Sequence, residues 1–168
     1  MRKLIIVGAA LASVVLALTG ATALAGGDDT FSATLGGFQE IPAISTDGHG
    51  TFAATLEDDG LHYTLRYWGL SGPAAAAHIH FGRIHTAGGV SAFLCGAEGG
   101  EACPSGAAGK VSISGVIAAE DVVGPTDQGI DPGEIDEILA AMGANAAYVN
   151  VHTALYPSGE IRGQVKEG

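Results

Sequence analysis

Apolar and polar residues alternate with a period of two along much of this 168-residue chain. Phe31, Ala33 and Leu35 alternate with Ser32 and Thr34, and Phe52, Ala54 and Leu56 with Thr51, Ala53 and Thr55. Successive side chains of a strand leave opposite faces, so each run predicts a strand with one buried face. Leu61, Tyr63, Leu65 and Tyr67 repeat the pattern after Glu57-Asp58-Asp59-Gly60. Two period-2 segments joined by a short loop ending in Asp-Gly predict a β-hairpin. Further strands are expected at 76–81, 90–94, 110–117, 147–153 and 160–166. The 27 glycines suit turns and bulges between them. The pattern predicts an all-β fold: a Greek-key-like antiparallel β-sandwich or flattened barrel of about eight strands.

One segment breaks this rhythm. Asp131-Pro132-Gly133-Glu134 offers a cap residue, a proline for the first helical position and a glutamate three after the cap. Ile135, Ile138, Leu139 and Met142 follow at helical spacing, and Gly143 is placed to terminate. One short amphipathic helix inserted between strands is expected, covering the end of the β-structure.

The N-terminus carries a different pattern. Arg2 and Lys3 precede an apolar run from Leu4 to Leu18, and Ala23-Leu24-Ala25 supplies small residues at the positions a signal peptidase reads. A membrane anchor needs about 20 apolar residues, and Thr19, Gly20 and Thr22 interrupt the run before that. Residues 1–25 therefore read as a signal peptide, 26–30 as a flexible leader and 31–168 as one domain. No second long apolar run follows, so no membrane association is expected after cleavage, and the location is secreted or periplasmic.

Removing that segment takes away Arg2 and Lys3. Five basic residues then stand against 18 acidic ones, a formal charge of 5 − 18 = −13. Such a surface repels phosphates and shows no basic patch, which excludes nucleic acid as a partner. The acidity serves solubility or the attraction of cations. Cys95 and Cys103 are the only cysteines. In an oxidising compartment a disulfide closing their short Gly-rich loop is expected, their spacing being a poor match to thiolate metal sites.

Six histidines among so few basic residues are the most informative composition feature. His78 and His80 flank Ile79 within an apparent strand, so both imidazoles leave the face opposite Ala77, Ile79 and Phe81. In Tyr148-Val149-Asn150-Val151-His152, the valines likewise point one way and His152 the other. Three imidazoles on two strands supply three ligands for copper or zinc if the strands are neighbours. His85, on the following loop, is a further candidate ligand. The competing reading has each imidazole bonding a loop backbone and shaping the end of the fold. Binding through ordinary imidazoles would weaken as pH falls through about 6.5. His49 and His62 read as solvated. No nucleophile elbow, phosphate loop or zincin motif is present, and no catalytic residue is assigned.

At these residues the sequence resembles the chordin-type (CHRD) domain family. The resemblance runs through Phe31-x-Ala33-x-Leu35-x-Gly37-x-x-Glu40-Ile41-Pro42 and Thr46-x-Gly48-x-Gly50. It continues in Ala77-His78-Ile79-His80-x-Gly82, Tyr148-Val149-Asn150-Val151-His152-Thr153 and Tyr156-Pro157-x-Gly159-Glu160-Ile161-Arg162-Gly163-Gln164. It implies a β-rich extracellular module, such as those of chordin and of secreted microbial proteins. Carried over, the family's polar signature falls on Glu40, His78, His80, Asn150, His152, Glu160 and Arg162, with an ion pair between Arg162 and a carboxylate expected.

A looser resemblance links the strand His-x-His, the later strand histidine and Arg162-Gly163 to copper/zinc superoxide dismutases. It implies copper-ligand roles for His78, His80 and His152 and substrate guidance by Arg162. The chain lacks a counterpart of the dismutase zinc loop beyond His85, Cys103 lies far upstream of the last strand, and the acidic surface repels superoxide. The expectation is a secreted or periplasmic binding module that takes a transition metal, copper or zinc, through strand histidines. The rivals are a metal-free module whose partner is an extracellular protein, and a dismutase-like enzyme.

Overall fold

The computed structural model describes residues 30–96 and 101–168. Its strands are β1 (Thr30–Gly36), β2 (His49–Glu57), β3 (Gly60–Trp68), β4 (Ala74–Phe81) and β5 (Gly89–Gly96). β6 (Val111–Ile117), β7 (Ala147–Thr153), β8 (Ile161–Gln164) and β9 (Lys166–Glu167) complete the set, with one α-helix, α1 (Ile135–Gly143). All the strands join one sheet in the order β5-β4-β7-β8-β1-β2-β3-β6, with β9 beside β1. Every pairing within it is antiparallel.

The sheet curls until its two edges nearly meet. The Tyr63 hydroxyl on β3 donates to the Leu94 carbonyl on β5 at 2.9 Å, across the seam. Inside lie Leu35, Phe52, Leu65, Tyr67, Ile79, Val149, Val151 and Ile161, nearly or fully buried. Each such aliphatic or aromatic side chain stabilises the fold by roughly 1.5–3 kcal/mol on burial. The flattened barrel and the strands β1 to β7 agree with the alternation in the sequence. So does the β2–β3 hairpin, in which Glu57 pairs with Gly60. The Cys95–Cys103 disulfide is present.

Three boundaries differ from expectation. The helix does not begin at Pro132 behind an Asp131 cap. Gly133 has φ +95°, which no α-helix admits, so Pro132 and Gly133 form a turn. The Glu134 carboxylate accepts from the Asp131 N–H at 2.7 Å, so the cap-like contact closes this turn, and α1 starts one residue later. Its apolar side buries Ile138, Ala141 and Met142 against the barrel. The last expected strand is split at Val165, which turns fully into the core and passes the chain from β8 to β9. Thr30, expected in the leader, pairs with Thr55 as the first residue of β1. The expected signal peptide, 1–25, and the rest of the leader lie outside the described residues. Among the described residues, no helix is long and apolar enough to cross a membrane.

The wall that matters for function is β5-β4-β7-β8. Its inner face is Ala77, Ile79, Val149, Val151 and Ile161. Strand periodicity sends Ala76, His78, His80, Tyr148, Asn150, His152 and Arg162 to the outer face. β5 pairs with β4 out of step at two places, between Ala77 and His78 and between Ile79 and His80. Such bulges bend a strand and re-aim its side chains; the extra residues, Leu94 and Ser91, are on β5, and each step falls just before one of the two histidines.

Candidate metal centre

Cross-strand pairing builds a grid on that outer face. His78 sits opposite Asn150, His80 opposite Tyr148, and Ala76 opposite His152. On the next strand Arg162 is opposite Asn150. Ala76 fills little space, so the His152 imidazole leans diagonally toward His78, with ring centroids 4.7 Å apart. The His78 and His80 centroids are 5.4 Å apart, and those of His80 and His152 6.2 Å. One ring nitrogen of each lies within 4.8 Å of one from each of the others. The two strands bring the three imidazoles together.

The hydrogen bonds decide which nitrogens are free. His80 Nδ1 is 2.9 Å from the Gly88 carbonyl, and His152 Nδ1 is 3.0 Å from the Pro157 carbonyl. A carbonyl only accepts, so both Nδ1 atoms carry the proton and both Nε2 atoms keep a lone pair. His80 Nε2, His152 Nε2 and His78 Nδ1 are all buried without a partner. Buried nitrogens usually find partners, so three orphans on converging rings call for a shared one. Backbone carbonyls that fix the tautomer are also the usual outer support of ligating histidines.

Electrostatics keep these rings neutral. Burial pushes His78 down to about 3, helped by His152 and His80, and burial pushes His80 down to about 4 against its bond to Gly88. Burial also lowers His152, opposed by its bond to Pro157. A neutral imidazole is the form that ligates.

The walls come from residues with separate tasks. Phe93 of β5 stands edge-on to His78, at 4.9 Å and 90°. Tyr148 lies parallel to His80, at 3° and 4.7 Å, and its hydroxyl accepts from the Gly88 N–H at 3.1 Å. The Arg162 guanidinium covers Tyr148 at 3.4 Å from the ring centroid. Its NH1 and NH2 groups donate to the carbonyls of Thr86 at 2.7 Å and Arg83 at 3.0 Å. The expected ion pair is not formed: among the described residues, the only ion pairs join His62 to Asp59 and Glu57. The reason is that the loop carbonyls and the Tyr148 face already occupy the guanidinium. Arg162 is 3% exposed, so it is not presented to guide a substrate from solvent.

Glu40 reaches the same region from the turn after β1. It is buried, Oε1 has no partner, and burial lifts its carboxyl to about 7 despite the opposing pull of Arg162. Asn150, between His78 and Arg162, also keeps an unpartnered Oδ1. Glu160 has a different place. Its carboxylate accepts from Thr46 Oγ1 at 2.6 Å, Ser71 N–H at 2.7 Å and Thr153 Oγ1 at 2.8 Å, knitting three segments together. His85 is exposed with φ +65° and stands outside the convergent group. His49 is exposed, and His62 is half-buried and bonded to Asp59 at 2.6 Å. A groove of about 530 Å³ over β2, β3 and β6 includes His62, but that ring nitrogen already has its partner.

Sequence reasoning missed four contributors. Tyr148 was visible on the histidine face but had no assigned role, and Phe93 reaches His78 only through the bulged register. The Gly88 and Pro157 carbonyls leave no side-chain signal at all.

Residues 31–165 match the family model of the CHRD domain. No curated protein and no solved structure matches the chain.

Proposed function

The chain belongs to the CHRD domain family, an extracellular-type binding module, and on that premise we propose that it binds one copper or zinc ion through His78, His80 and His152. One observation carries the reading: three buried, unpartnered ring nitrogens converge from two adjacent strands. Two of them have their tautomer set by backbone carbonyls in the sense that frees the lone pair. The donor set fits the metals: neutral imidazole suits both copper and zinc. Glu40 and Asn150 lie beside the site with oxygens free to support the ion or its water.

The module acts outside the cytoplasm. The disulfide and the N-terminal apolar run both support export, and the acidic surface draws cations toward the domain. A binding role is favoured over dismutase chemistry because the one arginine near the site is stacked and hydrogen-bonded away from solvent.

Metal titration of protein made without a histidine tag tests this. Binding at one ion per chain is expected, with His78→Ala and His152→Ala abolishing it while the far-UV CD spectrum stays β-rich. Equal binding by those variants, or none by the parent, overturns the assignment. If both variants unfold, the histidines hold the fold and the module is metal-free.

A further inference from the structure

We propose that the three-histidine site is built for monovalent copper, Cu⁺, in preference to Cu²⁺ or Zn²⁺. This rests on the metal-binding reading above and specifies its ion. The first ground is donor number. Among the described His, Cys, Asp and Glu residues, the convergent set is three neutral ring nitrogens. Zn²⁺ held by three histidines takes a fourth ligand, commonly water, and Cu²⁺ favours a tetragonal set, whereas Cu⁺ is satisfied by three donors with no water added. The nearby oxygens of Asn150 and Glu40 are hard donors, the kind that Cu⁺ does not need.

The second ground is charge. The convergent ligands carry none; Arg162 is a fixed cation near His80, and Glu40, whose carboxyl burial lifts to about 7, is only partly ionised. Between them they supply no net negative charge. Arg162 is fixed by its two carbonyl bonds and by Tyr148, which lies on the strand between it and His80 and is parallel to the His80 ring. A permanent cation thus stands behind one ligand through a stacked ring. The Born cost of desolvating an ion grows with the square of its charge, so a divalent ion costs about four times a monovalent one here. A site that gives no anionic ligand and keeps a fixed cation on Tyr148, the ring that stacks on His80, penalises the second positive charge.

The third ground is enclosure. His80 is buried, and Phe93 and Tyr148 wall two of the rings with aromatic surface. Low local dielectric magnifies the charge term and limits the water that would complete a Zn²⁺ or Cu²⁺ shell.

Competition titrations against chromophoric chelators decide it: Cu⁺ with ascorbate under anaerobic conditions, then Cu²⁺ and Zn²⁺ without reductant. Ascorbate spares the Cys95–Cys103 bond that thiol reductants would open. Cu⁺ should bind at least about 100-fold more tightly than Cu²⁺, and each tenfold gap raises the potential of the bound couple by about 59 mV. X-ray absorption of the Cu⁺ form should report three nitrogen neighbours. Arg162→Gln should narrow the Cu⁺/Cu²⁺ gap by about tenfold or more, while Arg162→Lys, which keeps the charge, should narrow it less. Tighter Zn²⁺ or Cu²⁺ binding that is lost in Glu40→Gln would overturn this inference and leave the metal-binding reading intact. Failure of all three ions to bind defeats the reading itself. Should Arg162→Gln not fold, the affinity ratio and neighbour count of the parent protein decide alone.

Discussion

The Thr153 hydroxyl donates to the Glu160 carboxylate at 2.8 Å, and the residue before Thr153 is His152. The end of β7 is therefore anchored on a buried anion one residue from the histidine cluster. Thr46 and the Ser71 N–H complete that anchor. Glu160→Gln removes the charge and leaves one of the donors without an acceptor. We expect a loss of at least about 2 kcal/mol in urea unfolding. A variant as stable as the parent would show that the anchor contributes nothing. The three donors outweigh burial and hold the Glu160 carboxyl below its ordinary 4.5. Its contribution is thus complete above that pH and is lost as pH falls through the lowered value.

The histidines act on stability in the same direction of pH but in a higher window. Their folded values lie below the ordinary 6.5, at about 3 for His78 and about 4 for His80. Below 6.5 the unfolded chain gains protons that the folded chain refuses, so the metal-free domain should lose stability from pH 6.5 down to about 3. His80→Gln should flatten that slope in thermal melts. Metal binding should persist well below pH 6.5, because protons compete poorly for depressed imidazoles. This revises the expectation from ordinary imidazoles, and a binding midpoint at 6.5 would contradict the burial argument.

Gly159 has φ +126°, and a Cβ there would run into Glu40 Oε1 and Asn150 Nδ2. Gly159→Ala combines backbone strain with displacement of two groups beside the histidines. A cost of about 1–3 kcal/mol is expected from the backbone alone, together with weaker metal binding. Unchanged melting and unchanged affinity would mean that the loop shifts freely.

Protein recovered from outside the cytoplasm should begin near Gly26 and contain the Cys95–Cys103 bond. N-terminal sequencing reads the first, and a mass about 2 Da below that of the thiol form reads the second. Reduction of a loop this short should cost about 2–3 kcal/mol by the chain-entropy relation. An intact Met1 on the exported protein, or free thiols, would contradict the export reading.

Much of the barrel could be read from alternation alone, because a half-buried strand imposes it residue by residue. Ile79 and Val151 enter the core, and His78, His80 and His152 face outward, as the spacing requires. The neighbourhood of β4 and β7 was not readable, since periodicity says which face a side chain takes but not which strand lies beside it. The helix start was misplaced because Asp131 and Glu134 carry a capping pattern that a positive φ at Gly133 diverts into a turn. The role of Arg162 was misjudged for a similar reason. Its partners are the main-chain oxygens of Arg83 and Thr86, which no sequence pattern announces.

β4 and β7 pair along most of their length, yet β5, β6 and α1 lie between them in the chain. His78 and His80 are together from the moment of synthesis, while His152 arrives only when this long-range pairing closes. Contacts so distant in sequence form late in folding, after the entropy of closing the intervening loop has been met. Until then the chain offers two imidazoles, a weak and promiscuous chelate open to any ion at hand. The completed trio exists only in the finished barrel. If the chain is exported unfolded and binds a metal as proposed, the choice of ion would fall to the compartment of arrival, whatever metals the cell holds where the chain is made.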